Sequence, residues 1–429
     1  MRPAWLHAGR AVASGPPGTS YCRAHFHVAC YQPAQLRRAY NLTPLLRNGI
    51  NGSGRTIVIV DSFGSPTIRH DLAVFDRGTG LPPPPALVVR QLAGPVPKYR
   101  PTPDREGWAG EADLDVEYAH AMAPRARILL VETPTAENEG TTGFPQIVQA
   151  ENYVISHHLG AVISQSFSAT ERTFPSRQSL LRLRSPYVNA ARAGVTVLTA
   201  SGDSGAADAR FNGSTYYLGP VTSWPDSDPL VTGVGGTKLR LGPRPGQWSS
   251  RVWNDTYRPA TNRFIFGNKG PNPLAGGGGR SVMFRRPSFQ NGVQAVTRTQ
   301  RGVPDIAMSA ACSGAVVMYQ SFPGQAAGWY PTCGTSEATP LFAGVVALAV
   351  QLAGHPLGLI NPRLYALAAR GAGSGIVDVT AGNNTVSFHQ GGVRHTVQGY
   401  QAGPGYDLAS GLGTVNAALL VPRLAGIVP

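Results

Sequence analysis

Lysine is almost missing from this 429-residue chain. Lys98, Lys238 and Lys269 are the only three, so nearly all of the 37 basic side chains are arginine. A net charge of +14 can mark a nucleic-acid or anionic-surface binder, but basic runs are also missing: none is longer than a pair such as Arg285-Arg286. Positive charge scattered in this way reads as a compositional arginine bias, and no nucleic-acid partner is expected. Long apolar runs are absent as well. Leu341 to Val350 is the longest, well short of the roughly 20 residues that cross a bilayer, so no membrane association is expected. The start, "MRPAWLHAGRAVASG", has only a short apolar stretch broken by His and Arg, so no secretory leader is legible. Cysteine is scarce too. The four cysteines form no Cys-x-x-Cys or Cys/His spacing, which excludes the common zinc frameworks.

What is present suits a large soluble α/β core. The chain is 42% hydrophobic and 14% charged, enough for one big domain or two smaller ones. Its 52 glycines and 37 prolines point to many loops, and their lack of period excludes collagen. Cys312 and Cys333 flank "SGAVVMYQSFPGQAAGWYPT", two strands around a Pro-Gly turn. A disulfide between them would brace the loop that carries Ser336. Cys22 and Cys30 are close together near the start. Two disulfides would imply an oxidising compartment.

The apolar pattern predicts alternating strands and helices. Strands are expected at 55–64, 126–133, 161–168 and 195–205 and within "DPLVTGVGGT". Helices are expected at 33–42, 111–123, "FPQIVQAENYVISHH", "SLLRLRSPYVNAARAG" and 340–354, with 240–290 rich in loops. This order argues for a largely parallel sheet flanked by helices on both faces. Sites in such sheets form beyond the carboxyl ends of the strands, where Asp61, Ser164 to Ser166 and Ser201 to Gly205 fall.

Three stretches carry chemistry. In "GEADLDVEYAHAMAP", Glu111 and Asp115 are four apart and share one helix face. Asp113 and Glu117 form a second such pair on another face. Taken alone, these acids read as a solvated helix start favoured by the macrodipole; close carboxylates that share a proton instead have split pKa values suited to acid/base work. In "TASGDSGA", Asp203 follows a buried strand. It is either a turn aspartate bonding its own backbone or, if protonated, a donor aimed at developing negative charge. In "CGTSEATP", Ser336 opens a long apolar helix, either as an ordinary cap or as a nucleophile whose backbone N–H can bind an oxyanion. "GGGG" at 276–279 lacks the Lys-Ser/Thr of a phosphate loop and reads as a flexible rim of a cleft.

Taken in order with "GGGGRSVMFRRPSFQ" and "RGVPDIAMSA", these motifs resemble the sedolisin family, serine-carboxyl peptidases on a subtilisin-like fold. The resemblance spans roughly residues 31 to 429 and implies a peptidase domain there, with 1–30 an irregular remnant of the prodomain that family members carry. It implies Ser336 as nucleophile, Glu111 as the base, Asp115 as the carboxylate that orients Glu111 and shares its proton, and Asp203 as the oxyanion partner. A carboxylate base, with an ordinary pKa near 4.3 against about 6.5 for histidine, suits work in acid. The resemblance further implies one structural calcium ion held by the carboxylates of Asp378 and Asp407 and the carbonyls of Val379, Gly403 and Gly405. It also implies extended polypeptide substrates, a monomer and an extracellular setting. A tripeptidyl-peptidase of the same family and a non-catalytic binding protein are the alternatives. The Asp-His-Ser arrangement of ordinary subtilisins fits poorly: Asp61 ends a strand, but no His-Gly-Thr follows and His70 lies too close.

Overall fold

The computed structural model describes residues 15–242 and 248–427. Residues 1–14, half of the predicted irregular segment, lie outside the described residues. An eight-stranded sheet forms the centre. Its order across the main path is Trp248–Val252, Thr232–Leu241, Thr196–Ala200, Val162–Gln165, Thr56–Ser62, Arg127–Thr133 and Leu87–Arg90, with Ile306–Ser309 added against Thr232–Leu241. Every pairing is parallel except that of the edge strand Trp248–Val252.

The continuous apolar runs of the central strands follow from cover on both faces. Side chains alternate across the sheet. Ile57 and Ile59 enter one core with Ile128, Leu130 and the helix Thr335–Ala353, whereas Val58 and Val60 enter a second with Leu129, Val131 and the helix Phe144–Ser156. The first core also holds the helix Pro103–Met122, which lies against Thr335–Ala353. These two helices carry the candidate carboxylates and Ser336. Thr335–Ala353 is long and apolar enough by composition to cross a membrane, but 83% of that stretch is buried inside the fold.

The structure departs from the sequence reading in four places. Residues 15–31 are not irregular: a helix at Thr19–Phe26 is tied by the Cys22–Cys30 disulfide to a strand at Ala29–Tyr31, which pairs with Gly314–Gln320. Eight helical residues are too few to show a period. The 240–290 stretch holds the strand Trp248–Val252, the helix Pro259–Phe266 and the strand Gly279–Arg285; the consecutive polar residues Ser249, Ser250 and Arg251 give the first no alternation to read. The helix expected across 179–194 is two, Arg177–Leu181 and Ser185–Ala193, because Pro186 starts a new first turn. Gly276 to Gly279 are buried, and a side chain on Gly277 would overlap the Ser201 carbonyl. This segment is clamped against the turn that carries Asp203 rather than being a flexible rim. The hairpin Gly314–Gln320 and Gly328–Thr332 and the Cys312–Cys333 disulfide are as expected.

"RGVPDIAMSA" contributes a buried ion pair. Arg301 and Asp305 are fully buried and bonded twice, at 2.6 and 2.5 Å, and Asp305 also accepts from Gly233 N at 2.9 Å and Tyr365 OH at 2.9 Å. Removing one partner leaves a buried charge unpaired, which costs about 3–5 kcal/mol. Arg301→Ala is therefore expected to lower the unfolding free energy in urea by about that much, and an unchanged midpoint would contradict the account.

Candidate active site

Gly334, Thr335 and Ser336 form the entry to the Thr335–Ala353 helix. Gly334 has φ of 130°, and a Cβ there would stand 2.7 Å from Asp203 Oδ2, so glycine is required on both counts. Thr335 donates from its N–H (2.7 Å) and its hydroxyl (2.8 Å) to Asp203 Oδ1, and its hydroxyl accepts from Gly202 N at 3.1 Å. Oδ1 is thus committed as an acceptor, and any proton on Asp203 resides on Oδ2, the oxygen facing the turn. Pro340 lies inside the helix, four residues after Ser336. Having no N–H, it leaves the Ser336 carbonyl without its usual helical donor. The Ser166 hydroxyl stands 3.5 Å from that carbonyl oxygen.

Glu111 and Asp115 come up from the Pro103–Met122 helix. Both are buried. The Ser336 and Ser166 hydroxyls lie beside Glu111 and favour its ionised form, while Glu111 Oε1 has no hydrogen-bond partner among the described residues. Ser166 donates to Asp115 Oδ1 at 2.9 Å. Asp61, at the end of the Thr56–Ser62 strand, is the third carboxylate here. Burial pushes Glu111 well above the ordinary range, and the charge of Asp61 pushes the same way. Burial, then Asp61 and Glu111, do the same to Asp115. Asp61 itself is raised to about 8, by burial and then Glu132. Burial raises Asp203 to about 6 against the pull of the two Thr335 bonds. Three close carboxyls without a cation cannot all ionise, so the group retains protons where free carboxyls have lost theirs.

The four residues expected to act together are therefore brought together. The sequence places Ser166 and Asp61 at strand ends where sites form, but assigns no role to Ser166, which lies between Asp115 and the Ser336 carbonyl, and weighs a role for Asp61 only in a histidine triad. The strand-end position was the available signal for both. His70 is exposed on the helix Ile68–Thr79, near the Tyr319 ring. Asp113 and Glu117 are not a solvated helix face. Both are fully buried, with Asp113 beside Asp71 and Ser65, and Glu117 accepting from Tyr319 N. A cavity of about 630 Å³ lies elsewhere, over Lys238 and Arg251; Ser336 itself is 7% exposed.

The predicted calcium ligands also converge. Gly405 N donates to Asp378 Oδ2 (2.8 Å), Gly403 N to Asp407 Oδ2 (3.2 Å), and Ser410 Oγ lies 3.4 Å from the Val379 carbonyl and 3.1 Å from Asp407 Oδ1. The carboxylates of Asp378 and Asp407 are thus met by backbone N–H groups and Ser410 on two neighbouring loops, and carboxylate oxygens so placed suit a hard cation.

The subtilase family model matches residues 107–391. Kumamolisin from Bacillus sp. (strain MN-32) is 30% identical over 400 residues, 92% of this chain and 63% of that protein. Sedolisin from Pseudomonas sp. (strain 101) is 31% identical over 370 residues, 85% and 57% of the two chains. Human tripeptidyl-peptidase 1 is 30% identical over 335 residues, 74% and 52%. The chain thus spans between about half and two thirds of the length of these curated relatives. A solved structure of Pseudomonas sedolisin, a serine-carboxyl proteinase complexed with two molecules of pseudo-iodotyrostatin, superposes with a TM-score of 0.75 at 26% identity, covering 93% of this chain and 99% of that one.

The raised carboxyls fix how stability depends on pH. Each has a folded pKa above its unfolded value near 4. The stability they confer is fully present below about pH 4 and is lost as pH rises through the folded values. The melting temperature of the Ser336→Ala protein should therefore fall from pH 4 to pH 8. Asp203→Asn should remove the part of that fall between about 4 and about 6. A melting temperature that climbs over this range would refute the assignment.

Proposed function

Because this chain belongs to the subtilase family, and within it to the sedolisin family of serine-carboxyl peptidases, we propose that it hydrolyses peptide bonds in acid through Ser336, Glu111, Asp115 and Asp203. One observation carries the reading: the Ser336 hydroxyl and the Glu111 carboxyl share one buried site, where Ser336 favours the ionised form of Glu111. Ser336 Oγ attacks the scissile carbonyl carbon and its proton passes to Glu111. Asp115, held by Ser166, orients Glu111 and shares that proton. The oxyanion is met by the Ser336 N–H and by the proton on Asp203 Oδ2. The C–N bond then breaks, Glu111 returns its proton to the leaving amine, and an acyl-enzyme remains. Water attacks the acyl carbon by the same route in reverse, with Glu111 as base, to release the acid and restore Ser336.

Asp203 can donate only while protonated, so activity is lost as pH rises through about 6. This supports an acid enzyme; its proposed substrates are extended polypeptides, and its proposed mode is that of a monomeric endopeptidase. The likeness to tripeptidyl-peptidase 1 favours a second mode, release of tripeptides from free N-termini. The two disulfides suit an oxidising, extracellular setting.

Cleavage of an unfolded protein from pH 3 to 8 tests the reading. Ser336→Ala should abolish turnover, and Glu111→Gln should cost about 10²–10⁴-fold in kcat. Asp203→Asn, whose amide donates at any pH, should keep part of the activity and lose the decline near pH 6. Activity near neutral pH that survives Glu111→Gln would sink the mechanism. Product sizes separate internal cuts from tripeptide release.

The same reading extends to one calcium ion held by Asp378 and Asp407 with the carbonyls of Val379, Gly403 and Gly405. Bound there, it would tie the two loops together. EDTA should lower the melting temperature of the Ser336→Ala protein, and Asp378→Asn should abolish that shift; an identical EDTA effect in both proteins would rule the site out.

A further inference from the structure

Arginines that are scattered in the sequence converge on the face built by the antiparallel edge strand. The pairing of Thr232–Leu241 with Trp248–Val252 sets Lys238 directly opposite Arg251. Like charges so placed repel and destabilise the pair. Arg258, just before the Pro259–Phe266 helix, adds a third cation to the same cavity of about 630 Å³, with the amides of Gln398 and Gln401 also on its wall. A second cavity of about 460 Å³ shares Lys238 and Arg258 and adds Arg23, His27 and Arg240. No carboxylate lines either cavity among the described residues.

Lys238 is 6% exposed and forms the floor between the two. Burial pushes it down to about 8; Asp255 pulls it up, while Arg258, Arg240 and Arg251 press it further down. Asp255 is already engaged by Ser313 Oγ (2.6 Å), Ser313 N (2.9 Å) and Trp253 Nε1 (3.1 Å), with Arg258 at 3.8 Å. It offsets the cluster without neutralising it.

We propose that this double cavity binds a compact polyanion, a small molecule carrying two or more phosphate or sulfate groups. The arginines offer planar forks to oxyanions while the lysine supplies a point charge beneath them. An anion there would relieve the Lys238–Arg251 repulsion. The site is separate from Ser336, so its test does not depend on peptidase activity.

Calorimetric titration of the Ser336→Ala chain with tripolyphosphate, and separately with a sulfated heparin disaccharide, at a fixed 0.15 M salt, reads it directly. One site per chain is expected. Tighter binding of the first probe marks a phosphorylated ligand, and of the second a sulfated glycan. The Arg251→Gln/Arg258→Gln pair should weaken binding tenfold or more, while Arg182→Gln, on a different exposed surface, should leave it unchanged. At pH 8, binding should take up protons in a Lys238-dependent way, absent in Lys238→Gln. Should that buried substitution not fold, the exposed arginine pair decides alone. No binding of either probe, or an equal loss in Arg182→Gln, overturns the proposal.

Discussion

Water is kept away from carboxylates along most of the Pro103–Met122 helix, and much else follows from that. Glu111, Asp113, Asp115 and Glu117 are all buried, and Asp61 and Asp71 meet them from neighbouring elements. Burial of an ionised carboxyl is costly unless a cation or several donors meet it. Here the donors are hydroxyls and backbone N–H groups: Ser166, Ser321, Thr67 and Tyr319. Most of these groups are therefore stable in the fold only while they hold protons, and Glu111, the proposed base, must be the member of the cluster that has lost its own. The molecule's chemistry and its stability draw on the same titrations.

The helix that carries Ser336 answers this constraint from the other side. A tight glycine turn brings Thr335 onto one oxygen of Asp203 and leaves the other facing the turn. Pro340 withdraws the donor that would have taken the Ser336 carbonyl. These are backbone devices, and they need no histidine to set the geometry of the proposed nucleophile.

Much of this was legible in the sequence because it is local. Glu111 and Asp115 are one turn apart, Asp203 ends an apolar strand, and Ser336 opens an apolar helix. The alternation of strands and helices gave the sheet and its parallel sense. Ser166 and Asp61 were harder, because their meaning depends on which strands lie side by side, and that is a property of the sheet order. The burial of Asp113 and Glu117 was misjudged because four acids in seven residues ordinarily face water. Only the packing of a second helix and a hairpin over them removes it. The cation cluster around Lys238 was invisible for a related reason: Arg23, Lys238, Arg251 and Arg258 are separated by disulfide, strand and hairpin. The short helix at Thr19–Phe26 shows no period of its own.

The Thr335–Ala353 helix both carries the proposed nucleophile and packs at the centre of the larger core. Local opening usually begins in loops and termini, whereas the most protected amides lie in central elements. Ser336 is thus anchored in the last part of the molecule to exchange its hydrogens. On this packing its surroundings are expected not to fray ahead of the whole, so that loss of the site geometry and loss of the fold would coincide.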